Sequence, residues 1–268
     1  MKIVPEITRK SITELINDGE RPDGRALDEY RNISLETNVI SKAQGSARVK
    51  IGNTQVIAGI KYQVGTPFPD TPDVGVIMTN AELLPMAAPD FEPGPPDERS
   101  IELARVVDRC IRESEMVNLK ELCISEGKQV FMIFIDLHII DYDGNLFDAS
   151  ALAAVSALLT TKLPSFSFDE DEELVLSEDC NVQLPMNEKA LLCTFVKIGD
   201  NLVLDPSLEE EEILEARLNV GITESGNICA MQKGGVKPLS KDEIIKAVKL
   251  TQEKTKELFE FLPYATDN

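Results

Sequence analysis

Positive charge is scarce in this sequence relative to negative. Lysine and arginine number 27 against 47 aspartates and glutamates, a formal net charge of −20 over 268 residues. That balance argues against a broad nucleic-acid-binding surface, which is ordinarily basic. It leaves room for a narrow basic track, particularly one completed by another subunit. Tryptophan is absent, and His138 is the one histidine. The five cysteines (Cys110, Cys123, Cys180, Cys193, Cys229) form no CxxC pair. One imidazole and scattered thiols make a poor zinc ligand set, so no metal and no cofactor are expected, and the cysteines read as free and reduced. No apolar run approaches the ~20 residues of a membrane span. The first residues carry no signal-peptide core, and a cytoplasmic protein without membrane contact is expected.

Against this background, one segment stands out. Pro95, Pro96 and Asp97 make a sound helix start, a rigid approach followed by a carboxylate able to cap free backbone N–H groups. From there to Glu115, at about 100° per residue, Leu103, Ala104, Val107, Cys110 and Ile111 gather on one side. Arg105, Arg109 and Arg112 gather almost opposite. Two readings of that row are open. It is either a solvated face on which Glu102 and Glu113 pair with Arg105 and Arg109, or a ladder for phosphates, to which planar, permanently charged guanidinium is suited.

The rest of the chain alternates in kind. Thr8 to Asn17 reads as a short amphipathic helix closed by Gly19. A turn-forming cluster with two arginines, Arg21 to Arg25, follows. Ala47, Val49 and Ile51 alternate with Arg48 and Lys50, Gly52-Asn53 turns the chain, and Gln55 to Tyr62 returns, a hairpin pattern. Val74 to Glu82 is a further strand candidate. Lys128 to Asp141, apolar at most positions of both faces, is expected to lie centrally in a sheet covered on both sides. Its His138 reads as a hydrogen-bonded or surface histidine. Asp148 to Lys162 forms a helix of small residues, and Pro164 to Asp179 is polar and acidic. Four strand candidates begin at Ala190, Asn201, Arg217 and Ile228, and Ser240 opens a last helix with a capping-box pattern. The expectation is an α+β chain of two similar layers. Its divisions are a helix and arm over 1–30, a first subdomain over 31–164, an acidic connector over 165–185 and a second subdomain over 186–268.

Several strings together resemble the RNase PH family: "RPDGR" from Arg21, "GSARVKIGNTQVIAGI" from Gly45, "ELLPMAAPDFEPGPPDERSIELARVVDR" from Glu82, "DYDGNLFDASALAAVSALL" from Asp141 and "VLDPSLEEEEILEARLNVGI" from Val203. Within it, "FEPGPPDE" and "IELARVVDR" look most like the non-catalytic ring subunit of the archaeal exosome. The resemblance implies an RNase PH fold of two βαβα-type subdomains. It implies a hexameric ring, a trimer of heterodimers with a catalytic sister subunit, RNA-binding cap subunits, and phosphate-dependent degradation of single-stranded RNA from the 3′ end. It also implies RNA contact by Arg105 and Arg109, with Arg112 a weaker candidate on the same face.

The residues of this chain bear on whether it cuts. Active members of the family resemble "EEDxxxEADMP", with two aspartates six residues apart. Aligned without a gap, the first falls on Glu211 and the second on Arg217. Arginine neither binds Mg²⁺ nor accepts a proton at neutral pH. The glycine-rich phosphate turn is replaced by Gly144-Asn145-Leu146-Phe147-Asp148, whose aspartate near a helix start would repel an anion. The run Glu209 to Glu212 therefore reads as a solvated turn, with no catalytic or metal site. The alternative is a self-sufficient phosphate-dependent 3′-to-5′ exoribonuclease. Arg21 and Arg25 read as ties between the N-terminal segment and the body or a neighbour.

Overall fold

In a computed structural model, which describes residues 5–171 and 173–263, the chain begins with α1 (Glu6–Asn17). Ile12 and Ile16 of α1 are buried against Val196, Ile198, Val203 and Ile213. The N-terminal helix thus packs on the second half of the chain, nearly two hundred residues later in sequence.

The first sheet grows from the expected hairpin. β1 (Ile33–Thr37) lies antiparallel on β2 (Gly45–Ile51), which turns through Gly52-Asn53 into β3 (Thr54–Gly65). Gly52 takes φ +58°, the left-handed conformation such a turn requires. β4 (Val76–Leu83) leads through the proline-rich loop into α2 (Glu98–Glu113). Short β5 (Cys123–Ser125) then precedes β6 (Gln129–Asp141), which sits between β3, antiparallel, and β4, parallel. α3 (Leu146–Leu159) follows.

One expectation changes here. β6 is interior to the sheet, but only one of its faces is buried. Ile133, Ile135, Leu137 and Ile139 point into the core, whereas Met132, Phe134, Asp136 and His138 are half-exposed. Apolar residues on both faces do not by themselves bring a second covering layer. His138 accordingly meets Glu82 at the surface, Nδ1 to Oε2 3.1 Å.

The stretch expected as a connector is a hairpin. β7 (Lys162–Phe168) and β8 (Leu174–Gln183) pair antiparallel from Lys162 opposite Gln183, leaving Phe166, Phe168, Val175 and Val182 exposed. Its acidic residues crowd the turn and hide the alternation on either side.

The second sheet runs β10 (Asn201–Leu204), β9 (Ala190–Ile198), β11 (Ala216–Thr223), β12 (Ile228–Gly235) in spatial order, all antiparallel. Short α4 (Leu208–Ile213) joins β10 to β11, and α5 (Lys241–Phe259) ends the fold. Its capping box is complete: Glu243 N donates to Ser240 Oγ and Ser240 N to Glu243 Oε2.

The strand covered on both faces is β9, where every residue but Lys197 is buried. α3 packs on β2 and β3 on one side and on β9 on the other, α2 spans β4 and β12, and α5 packs on β9 and β11. α3 is buried all round from Phe147 to Leu159, as a helix between two sheets must be. Ala149, Ala151, Ala153, Ala154 and Ala157 allow that close approach.

Candidate nucleic-acid interface and the pocket beside it

α2 starts as its sequence dictates. The Asp97 carboxylate accepts from Ser100 N at 2.8 Å, and Ser100, Leu103, Ala104, Val107, Cys110 and Ile111 turn inward. On the opposite side Arg105, Arg109 and Arg112 are exposed. They are not equivalent. Arg112 is clamped by both oxygens of Asp108, at 3.1 and 3.0 Å, and donates to the Ile77 carbonyl at 2.9 Å. Arg105 and Arg109 make no hydrogen bond or ion pair among the described residues. The pairing with Glu102 and Glu113 does not form; Glu102 bonds to Arg217 instead. Two guanidinium groups one helical turn apart are left facing solvent in a strongly acidic chain.

Beside the buried face of α2 lies a cavity of about 710 Å³, lined by Arg99, Glu102, Tyr142, Phe147, Glu211 and Arg217 among others. Glu211 and Arg217, the positions on which the resemblance places the aspartates of active members, both line it. Glu211 accepts from Tyr142 Oη at 2.6 Å and from Asn145 N at 2.8 Å, and burial raises its pKa. Arg217 donates Nε to Asn219 at 3.0 Å, pairs with Glu102, and places its guanidinium carbon 4.2 Å from the Phe147 ring centre. A cation stacked on an aromatic face and held by a carboxylate is a packing element.

The segment from Gly144 to Asp148 is likewise held by internal contacts. Asn145 caps α3 at φ +53°. Asp148 lies in the first turn of α3, as expected, and is buried. It accepts from Tyr30 Oη (2.7 Å), Thr194 N (3.0 Å), Thr194 Oγ1 (2.6 Å) and Asn145 Nδ2 (2.9 Å). Burial, opposed by these donors, lifts its pKa to about 6.

Nor is the run at Glu209 to Glu212 a solvated turn. It forms most of α4, and Glu210 is buried. Both its oxygens bind Arg21, at 2.8 Å from Nε and 2.6 Å from Nη2. Arg21 also donates to the Leu204 and Asp205 carbonyls at 2.9 and 2.8 Å. Arg25 reaches the Asp205 carboxylate at 3.0 Å. Arg21 and Arg25 therefore tie the arm to the body.

Sequence reasoning missed Asp205 and Arg31. Arg31 grips both Asp205 oxygens at 2.9 Å, and Asn145 Nδ2 adds a bond at 2.7 Å. Burial pushes the Asp205 carboxyl up, but Arg31 and Asn145 outweigh it and hold it below the ordinary value. The available signal was the aspartate inside "VLDPS", a buried charge needing a cation from elsewhere. Among the described residues no group of three or more His, Cys, Asp or Glu is arranged to hold a metal ion. No helix among them is long and apolar enough to cross a membrane.

Residues 29–164 match the 3′ exoribonuclease family, domain 1, and residues 190–254 match the same family's domain 2. The chain belongs to this family. A curated relative from Methanothermobacter thermautotrophicus, exosome complex component Rrp42, is 64% identical over 98% of this chain and 96% of its own length. The protein of that name from Thermococcus kodakarensis is 48% identical over 97% of this chain and 96% of its own. Among solved structures, a chain of the Archaeoglobus fulgidus exosome with RNA bound to the active site superposes with a TM-score of 0.87. That chain is 45% identical, the match covering 95% of this chain and 97% of that one. A chain of an archaeal exosome core gives 0.83 at 43% identity, over 96% of each. Rice Rrp46, 18% identical with a TM-score of 0.68 over 90% of this chain and 97% of its own, shares the fold. The α+β RNase PH fold is therefore that of this 3′ exoribonuclease family member.

Proposed function

We propose that this chain is a non-catalytic, RNA-binding subunit of an exosome ring that shortens single-stranded RNA from the 3′ end using phosphate. In that ring it alternates with a catalytic RNase PH-like sister subunit as a trimer of heterodimers, beneath RNA-binding cap subunits. The full-length similarity to exosome components supports the assembly. The pocket supports the division of labour, since Arg217 stands where a carboxylate is wanted and Glu211 is engaged by Tyr142 and Asn145.

One observation supports the RNA-binding role: Arg105 and Arg109 are exposed on one face of a capped helix and have no partner among the described residues. Each presents a planar fork able to take a phosphate bidentately. Arg112, already clamped by Asp108, contributes less. The sister's active site then receives a strand whose path is held from this side, and the chain adds grip without chemistry.

The test is the salt dependence of RNA affinity for the assembled ring. Each of Arg105→Ala and Arg109→Ala should weaken binding and flatten the log–log slope by roughly 0.7. Arg112→Ala should change it less. Unaltered affinity and slope in the first two variants would remove the arginines from the RNA path.

A further inference from the structure

Two of the five thiols meet. Cys110, on the buried face of α2, and Cys229, on β12, have their sulfurs 4.0 Å apart. The pair joins the two halves of the fold, 119 positions apart in sequence. No other hydrogen bond between two cysteines occurs among the described residues.

We propose that Cys110 and Cys229 are a peroxide-responsive thiol pair that closes to an intramolecular disulfide between α2 and β12.

The geometry divides the roles. Cys110 is 1% exposed, whereas Cys229 is half-buried, so a small oxidant in solvent meets Cys229 first. A hydrogen bond links the two sulfurs, either of which can donate. It lowers the Cys229 pKa and, with burial, raises that of Cys110 well above the ordinary thiol value. Backbone N–H groups of Cys229 and Ala230 also favour the Cys229 thiolate, while Glu188 opposes it. Cys229 is thus the attacking sulfur and Cys110 the resolving one.

The chemistry balances with hydrogen peroxide as oxidant. The Cys229 thiolate attacks one peroxide oxygen; the S–O bond forms, the O–O bond breaks, and the departing hydroxide takes up a proton to become water. Cys229 is then a sulfenic acid, oxidised by two electrons. The Cys110 sulfur attacks the Cys229 sulfur; the S–S bond forms, the S–O bond breaks, and the thiol proton leaves with the hydroxyl as a second water. From 4.0 Å the sulfurs must close by roughly 2 Å to reach bonding distance. That movement falls on side chains of a packed helix–strand contact and fixes α2 at the residue following Arg109.

The test treats the full chain with hydrogen peroxide, blocks remaining thiols in denaturant, and maps the digested peptides by mass spectrometry. The expected product joins the Cys110 and Cys229 peptides, two hydrogens lighter than their sum, and thiol reductant reverses it. On a non-reducing gel the closed chain should run faster. Cys229→Ser and Cys110→Ser should each abolish the shift, and Cys180→Ser should retain it. Oxidation should raise the thermal midpoint of the parent chain and leave that of Cys229→Ser unmoved. A Cys229 sulfinic acid with Cys110 still free, a crosslink through another cysteine, or no oxidation at all would overturn the proposal.

Discussion

The guanidinium of Arg217 stacks on the ring of Phe147, 4.2 Å from carbon to ring centre, at the mouth of α3. By the family resemblance, Arg217 falls at the second aspartate of active members and Phe147 in their phosphate turn. Here they satisfy one another. Glu102 completes the arrangement, drawn from α2 to Arg217 and so left unavailable to Arg105. One contact thus engages Arg217 and leaves Arg105 without its helix neighbour.

Removing that contact should cost stability without creating activity. Arg217→Ala loses the stacking and an ion pair with a carboxylate that is 37% exposed, so about 1–2 kcal/mol is expected. Urea denaturation of the variant against the parent measures it. Arg217→Asp should fail to degrade RNA, because the new carboxylate faces Glu102 while Glu211 remains held by Tyr142 and Asn145.

Arg21 and Glu210 form a buried, two-pronged pair, with side chains 0% and 1% exposed. Breaking it from either side strands a charge. Arg21→Ala and Glu210→Ala should each destabilise by about 3–5 kcal/mol. The double variant should cost clearly less than the sum, since neither charge is then left alone. Additive losses in a double-mutant cycle would contradict this reading of the arm.

Asp148 predicts a pH dependence of definite sign. Its folded pKa of about 6 lies above the ordinary value of 3.8, so the folded chain holds that proton more tightly than the unfolded one. Stability is therefore unpenalised below pH 3.8, falls as pH rises, and carries the full penalty above pH 6, amounting to about 3 kcal/mol. Asp148→Asn lacks this titration. The difference in unfolding free energy, parent minus variant, should shrink by most of that amount, about 2 kcal/mol, between pH 4 and 7. A difference independent of pH would show that the four donors fully offset the burial of the charge.

Much of this was legible before any coordinates. Strict alternation gave the first hairpin, the Ser240 capping box gave the start of α5, and the Pro95-Pro96-Asp97 entry gave α2 with its inward and outward faces. What periodicity could not supply was partners distant in sequence. Glu210 reads as one of four surface glutamates until Arg21, 189 positions away, is brought against it. Asp148 reads as a helix-start charge until Thr194 and Tyr30 enclose it. β6 and β9 are both apolar runs, and only packing shows that helices cover β9 on both faces and β6 on one. The β7–β8 hairpin was hidden because acidic turn residues mask a short alternating pattern.

The most direct measurement is an assay of phosphate-dependent RNA shortening, run with the purified chain alone, with the catalytic sister subunit alone, and with the two combined. The account predicts no nucleoside diphosphate from this chain alone, release by the combined ring, and reduced RNA affinity of that ring when Arg105 and Arg109 are both alanine. Release of nucleoside diphosphates by this chain without a companion, abolished by replacing Arg217, would contradict it.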